Sequence, residues 1–165
     1  MQNLHRRVRA TVTGLGVFIL VVALGSCSGI KTYPNNLEKN LQLRAQVESG
    51  SVFSKLRASM SVFEVDAQCQ TDYKGTVDLD EPSVPVGIPS GRWSYLVFDF
   101  SSSGFLSNSS TSTARGALLK PQAGGRYDID VSYRDDIYNV TIQSVRSDGT
   151  AHEVPLIGLE ACQQV

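Results

Sequence analysis

The sequence predicts an all-β domain, an antiparallel β-sandwich of about seven to eight strands. Three observations predict it. Apolar and polar residues alternate with a period of two along most of the chain, the pattern of a strand with one buried face. Turn signals rich in Gly, Pro, Asn and Asp separate these runs at spacings of about ten residues. No stretch beyond residue 36 carries a convincing apolar stripe at helical spacing. A closed barrel is the architectural alternative.

The strands follow in order. Leu41, Leu43, Ala45 and Val47 alternate with Gln42, Arg44, Gln46 and Glu48. Their residue types favour a helix, but on a helix the four apolar side chains would scatter and form no stripe. Leu56, Ala58, Met60 and Val62 alternate with Arg57, Ser59 and Ser61 and run on towards Cys69. Tyr73, Gly75, Val77 and Leu79 alternate with Lys74, Thr76, Asp78 and Asp80. Pro82, Pro85 and Pro89 then exclude a central strand, so residues 81 to 91 read as an extended edge segment with a turn at Pro89-Ser90-Gly91. Arg92 to Phe100 is the most apolar run beyond the N-terminal segment and predicts a central strand, apolar on both faces, with Trp93 packed in the core.

Ser101 to Thr113 is rich in Ser, Thr and Asn and predicts a long loop, followed by a short strand at Ala117 to Leu119. Functional residues concentrate in such loops, and Phe105-Leu106 in its apolar middle is the expected partner contact. Past the turn at Pro121 to Gly125, Tyr127, Ile129, Val131 and Tyr133 alternate with Asp128, Asp130, Ser132 and Arg134. Asp135-Asp136 predicts a hairpin turn, Ile137 to Val145 the next strand, and Ser147-Asp148-Gly149 a tight turn suited to positive φ. A last strand is expected to carry Val154, Leu156, Ile157 and Leu159 to Cys162.

The N-terminus has a different logic. Arg6, Arg7 and Arg9 precede an apolar run, Val12 to Leu24, which ends in Leu24-Gly25-Ser26-Cys27. This is the order of a secretory signal: basic, apolar, then small residues. The uncharged stretch from Ala10 to Ser26 falls short of the ~20 apolar residues a spanning helix needs. The tetrad resembles a bacterial lipobox. That resemblance implies diacylglycerol on the Cys27 thiol, cleavage before it and acylation of the new amino terminus, such as palmitate. Two or more chains hold a protein stably on a bilayer. Arg6-Arg7 also suggests twin-arginine export, but Val8-Arg9-Ala10 does not resemble the continuation of that motif, so general secretion is expected. By the same resemblance, Ser28 favours the outer membrane, facing the periplasm. The expected organisation is a signal peptide over 1–26, a lipidated tether over 27–36, and the sandwich over 37–165.

With Cys27 assigned to lipid, Cys69 and Cys162 remain of the three cysteines. In an oxidising compartment they are expected to form a disulfide joining an early strand to the last one. The chain carries 15 Lys+Arg against 16 Asp+Glu, and loss of the three signal arginines leaves 12 against 16, a net charge of −4. A mildly acidic domain argues against nucleic acid as a partner.

Little in the chain suggests catalysis, and no catalytic residue, metal or cofactor is assigned. Past the signal, His152 is the one histidine, and there is no G-x-S-x-G elbow. Asp128-Ile129-Asp130 resembles the start of a calcium loop, but Tyr133 and Asn139 stand where an EF-hand needs Gly and an acid. Asp128 and Asp130, like Asp78, Asp80 and Glu81, read as solvated groups, which would form a weak cation site only if they met.

Leu119-Lys120-Pro121 with Gly125-Arg126-Tyr127, the terminal Cys162 and the tetrad together resemble small bacterial lipoproteins that carry a transthyretin-like or immunoglobulin-like sandwich. A sandwich lipoprotein that anchors the type VI secretion membrane complex shares that layout. The resemblance implies an envelope lipoprotein that presents its sandwich to a protein partner and catalyses nothing. The alternative is a periplasmic module that binds a small ligand or a glycan.

Overall fold

Strand alternation is realised almost wherever the sequence carries it. The computed structural model describes residues 29–47, 54–104, 110–134 and 137–164. Its strands are β1 (Leu41–Val47), β2 (Ser54–Val65), β3 (Thr71–Asp78), β4 (Ser83–Val86), β5 (Trp93–Gly104), β6 (Ser110–Leu119), β7 (Arg126–Arg134), β8 (Ile137–Val145) and β9 (Ala151–Val154). A 3-10 turn, Leu159–Gln164, follows. The strands form two packed sheets, one of five in the order β4-β1-β7-β8-β9 and one of four in the order β3-β2-β5-β6. The expected β-sandwich is therefore the fold.

Its core lies between the inner faces. Leu41 and Leu43 of β1, Ile129 and Val131 of β7 and Ile142 of β8 meet Met60 and Val62 of β2 and Leu96, Phe98 and Phe100 of β5. Each is essentially buried. Burying a side chain of this size stabilises by roughly 1.5–3 kcal/mol. The surface ion pairs of Arg44 with Asp128 and Asp130, at a half-exposed guanidinium, contribute about 1 kcal/mol at most. Apolar packing therefore sets the stability.

Several elements differ from the sequence expectation. The neighbours β1 and β7 run parallel, in register from Leu41↔Tyr127 to Val47↔Tyr133. They come from different hairpins, so no tight turn forces them antiparallel. In β5, the even-numbered residues from Ser94 to Phe100 are buried, while Trp93, Tyr95, Val97 and Asp99 are half-buried on the outer face. The strand is central, but its second face is not core. The long loop expected over Ser101 to Thr113 is largely strand. Ser101–Gly104 continues β5, paired with β2 on one side and with Ser110–Ser112 of β6 on the other. Ladder hydrogen bonds on both flanks satisfy its backbone, so its low apolar content does not exclude it from a sheet. The last strand is short. β9 ends before Pro155, and Cys162 lies in the 3-10 turn.

The Asp135-Asp136 turn lies outside the described residues, and the strands on either side of it pair up to Arg134↔Ile137. The segment before β1 is docked on the domain. Tyr33 is buried and its hydroxyl donates to the Gly87 carbonyl at 2.8 Å. Tyr33 N–H donates to Thr76 O and Thr76 N–H to Lys31 O. A glycine is required at position 75, where φ is +140° and a Cβ would lie 2.6 Å from the Tyr33 backbone.

Asn40 clasps the start of β1 to the connection after β4. Its amide donates to Ile88 O at 2.8 Å, and its side-chain oxygen accepts from Ile88 N–H at 3.0 Å. All these groups are buried, so the side chain acts as one rung of a ladder. Asn40→Ala strands both Ile88 groups, and each stranded buried group costs about 1–3 kcal/mol. Urea denaturation of this variant should show a loss of about 2–4 kcal/mol; a loss under about 0.5 kcal/mol would contradict the clasp.

Candidate functional site

Cys69 and Cys162 are bonded, with Cα atoms 5.9 Å apart and 93 residues between them in sequence. The bond joins a turn to a turn, not strand to strand as expected. Cys69 sits after β2 at φ +60°. The Asp66 carboxylate holds this turn by accepting from the backbone N–H of Gln68 and Gln70 at 2.9 and 2.8 Å. In the chain-entropy model, closing so long a loop stabilises by about 4–5 kcal/mol.

The disulfide fixes a strap. Ile157 O accepts from Leu118 N–H of β6 at 2.8 Å, and Cys162 is tied beside the end of β2. β5 lies between β2 and β6, so the segment from Ile157 to Cys162 bridges across it. Leu118 pairs with Tyr95 and shares its outer face, yet only 2% of it is exposed.

The strap bears on the sheet edges. Four strands are terminal in the two sheets: β4, β9, β3 and β6. An unpaired strand edge is a template for pairing with another chain unless something guards it. β4 is four residues long and contains Pro85, which has no N–H to offer. β9 is equally short. β3 has the Lys31–Tyr33 segment bonded along it. β6 is ten residues long, and the strap guards its C-terminal end through Leu118. Among the described residues, nothing pairs with the free side of Ser110 to Gly116. Its register against β5 runs without a shift, so alternate residues present their backbone groups to alternate sides. Leu118 N–H points away from β5. Gly116, Ala114, Ser112 and Ser110 therefore do the same.

The other candidates are less organised. Asp128 and Asp130 face Arg44 of β1 rather than a shared cation. Asp78, Asp80 and Glu81 are exposed, and among the described residues no three His, Cys, Asp or Glu side chains are grouped as metal ligands. His152 is exposed on β9. Trp93 is not core. It is half-buried on the outer face, with Lys120 Nζ 5.6 Å from its ring centroid, and it lines a cleft of about 480 Å³ with Arg92, Glu64, Asp66 and Asp72. Lys74 partly neutralises those acids, at 2.8 Å from Asp72 and 3.2 Å from Glu64. Cys27, Phe105 and Leu106 lie outside the described residues.

Comparison with protein-family models, curated proteins and solved structures finds no match to this chain. The edge of β6 is the feature that sequence reasoning missed. A usable signal was present: Ser110 to Ala114 mixes Thr with small residues and has no Pro and no charge, a composition that a sheet accepts.

Asp99 of β5 lies opposite Ala114 of this edge. Burial raises its carboxyl above the ordinary carboxylate range. The folded state therefore holds the proton more tightly than the unfolded chain does. The charged form costs stability, a cost that is absent below the ordinary carboxylate pKa and grows as pH rises through the folded value. Asp99→Asn should melt higher than wild type at neutral pH, with the gap closing in acid. Equal melting temperatures throughout the pH range would contradict this placement.

Proposed function

We propose that the protein is a non-catalytic, lipid-anchored protein of the cell envelope, held at the outer membrane and facing the periplasm, which offers its sandwich to a protein partner. The observation that carries this reading is the Cys69–Cys162 bond. The chain has three cysteines, so the bond leaves Cys27 for lipid, within the tetrad that resembles a lipobox. A disulfide also fits export to an oxidising compartment. Residues 1–26 then act as a signal peptide that is removed, and the mature chain starts at Cys27. The contact surface on this reading is the β6 edge, because strand addition along an unpaired edge is a general mode of protein recognition.

A second reading, a small-ligand or glycan-binding module, is favoured by Trp93 beside its polar cleft. Quenching of Trp93 fluorescence by periplasmic oligosaccharides, lost on Trp93→Phe together with binding, would move the proposal there.

The anchor is tested by metabolic labelling with an alkyne fatty acid. Wild type should take up label and Cys27→Ala should take up none. Equal labelling of the two proteins would defeat the reading.

A further inference from the structure

We propose that the open edge of β6 binds the same edge of a second copy of this chain, antiparallel, about a two-fold axis at Thr113. The proposal rests on the reading of that edge as a contact surface and names its occupant.

Three of the four terminal strands are guarded. β4, β9 and β3 are shortened, interrupted by proline or covered, and the strap covers the end of β6. The devices that usually blunt a long edge are lysine, proline, a bulge or a covering segment. From Ser110 to Ala114 the sequence has no lysine and no proline, and the β5–β6 register has no bulge. The open edge lies on the far side of its sheet from Lys31, which is bonded along β3.

The pairing register then follows. The residues that present N–H and C=O to the open side are Ser110, Ser112, Ala114 and Gly116. An antiparallel partner must set such residues opposite one another to exchange hydrogen bonds. A two-fold axis at Thr113 does this, placing Ser112 opposite Ala114 and Ser110 opposite Gly116, for about eight backbone hydrogen bonds in all. Thr113 then faces its own copy as a non-hydrogen-bonded pair, with Cα atoms about 4.5 Å apart. An axis at Ser112 or Ala114 keeps this match but leaves only about six such bonds within Ser110 to Gly116, and an axis between two residues would set residues that face the open side opposite residues that face β5.

Charge favours a second copy over an acidic or basic peptide. Arg115 is the one charged residue between Ser110 and Leu119. In this register it stands opposite Thr111, and the two copies of Arg115 are about four residues apart along the strand, roughly 13 Å. That exceeds the Debye length of about 8 Å at physiological salt, so their repulsion is screened. Two four-stranded sheets would join into one continuous sheet, with the strap of each copy beyond the paired segment.

The test is cysteine cross-linking in cells that produce the full chain, oxidised briefly with copper phenanthroline and read on a non-reducing gel. Thr113→Cys should give a disulfide-linked dimer at least tenfold more abundant than Ala151→Cys, a control on the exposed β9. Adding Ser112→Pro should abolish the dimer and leave the melting temperature unchanged, because the Ser112 N–H faces the open side and takes no part in the β5 ladder. Ala114→Lys, a charge at an exposed position opposite Asp99, should also abolish it and serves if the proline variant fails to fold. A Thr113→Cys dimer no more abundant than the control, cross-linking to a different protein instead, or a dimer that survives Ala114→Lys overturns the proposal. Fatty-acid labelling of the same cells reports on Cys27 alone, so loss of the label with the dimer intact defeats the anchor and leaves the pairing standing.

Discussion

The bond between Cys69 and Cys162 is the constraint on which the rest of the account depends. It turns the last residues of the chain into a strap that crosses β5 and ends beside β2. Through the strap it supplies the Ile157 carbonyl that covers the end of β6. By cysteine arithmetic it also leaves Cys27 as the one cysteine outside the pair. One covalent link therefore bears on stability and on which edge of the sandwich stays open.

The edges give the fold its functional logic. A sandwich cannot close its sheets as a barrel does, so its terminal strands must be shortened, interrupted or covered. This chain treats β4, β9 and β3 in those three ways and leaves most of β6 uncovered among the described residues. The docked segment at Lys31–Tyr33 needs the glycine at position 75, since any Cβ there would collide with the Tyr33 backbone. Asn40 performs the equivalent service inside, giving Ile88 a partner where the strand after Pro85 has ended. These are local solutions to one problem: each backbone group removed from water needs a partner.

Much of the fold is legible in the sequence because burial imposes the period of two. Leu41 to Gln46, Met60 to Val62 and Tyr127 to Val131 alternate in sequence and alternate in burial. What was not legible depends on neighbours distant in the chain. The Ser-rich run reads as a loop because it lacks apolar residues, yet β2 and β6 pair with Ser101–Ser103 from both sides. Trp93 reads as core by its apolar neighbours, but the parity of its strand turns it outward. The parallel pairing of β1 with β7 leaves no local signature at all. The cysteine pairing was readable by counting, whereas the strap was not, since Pro155 ends β9 early and turns the expected last strand into a crossing segment.

The most direct measurement is amide hydrogen exchange, resolved by residue, on the chain from Ser28 onward at two protein concentrations well apart. An alternating pattern is expected on β6 in the dilute sample, with Thr113 and Arg115 protected by β5 and Ser112, Ala114 and Gly116 exchanging fast. At high concentration those three amides should become protected while the rest of the sheet is unchanged. Uniform protection along β6 at low concentration, or exchange of Ser112, Ala114 and Gly116 that does not respond to concentration, would contradict an open edge that pairs with its own copy.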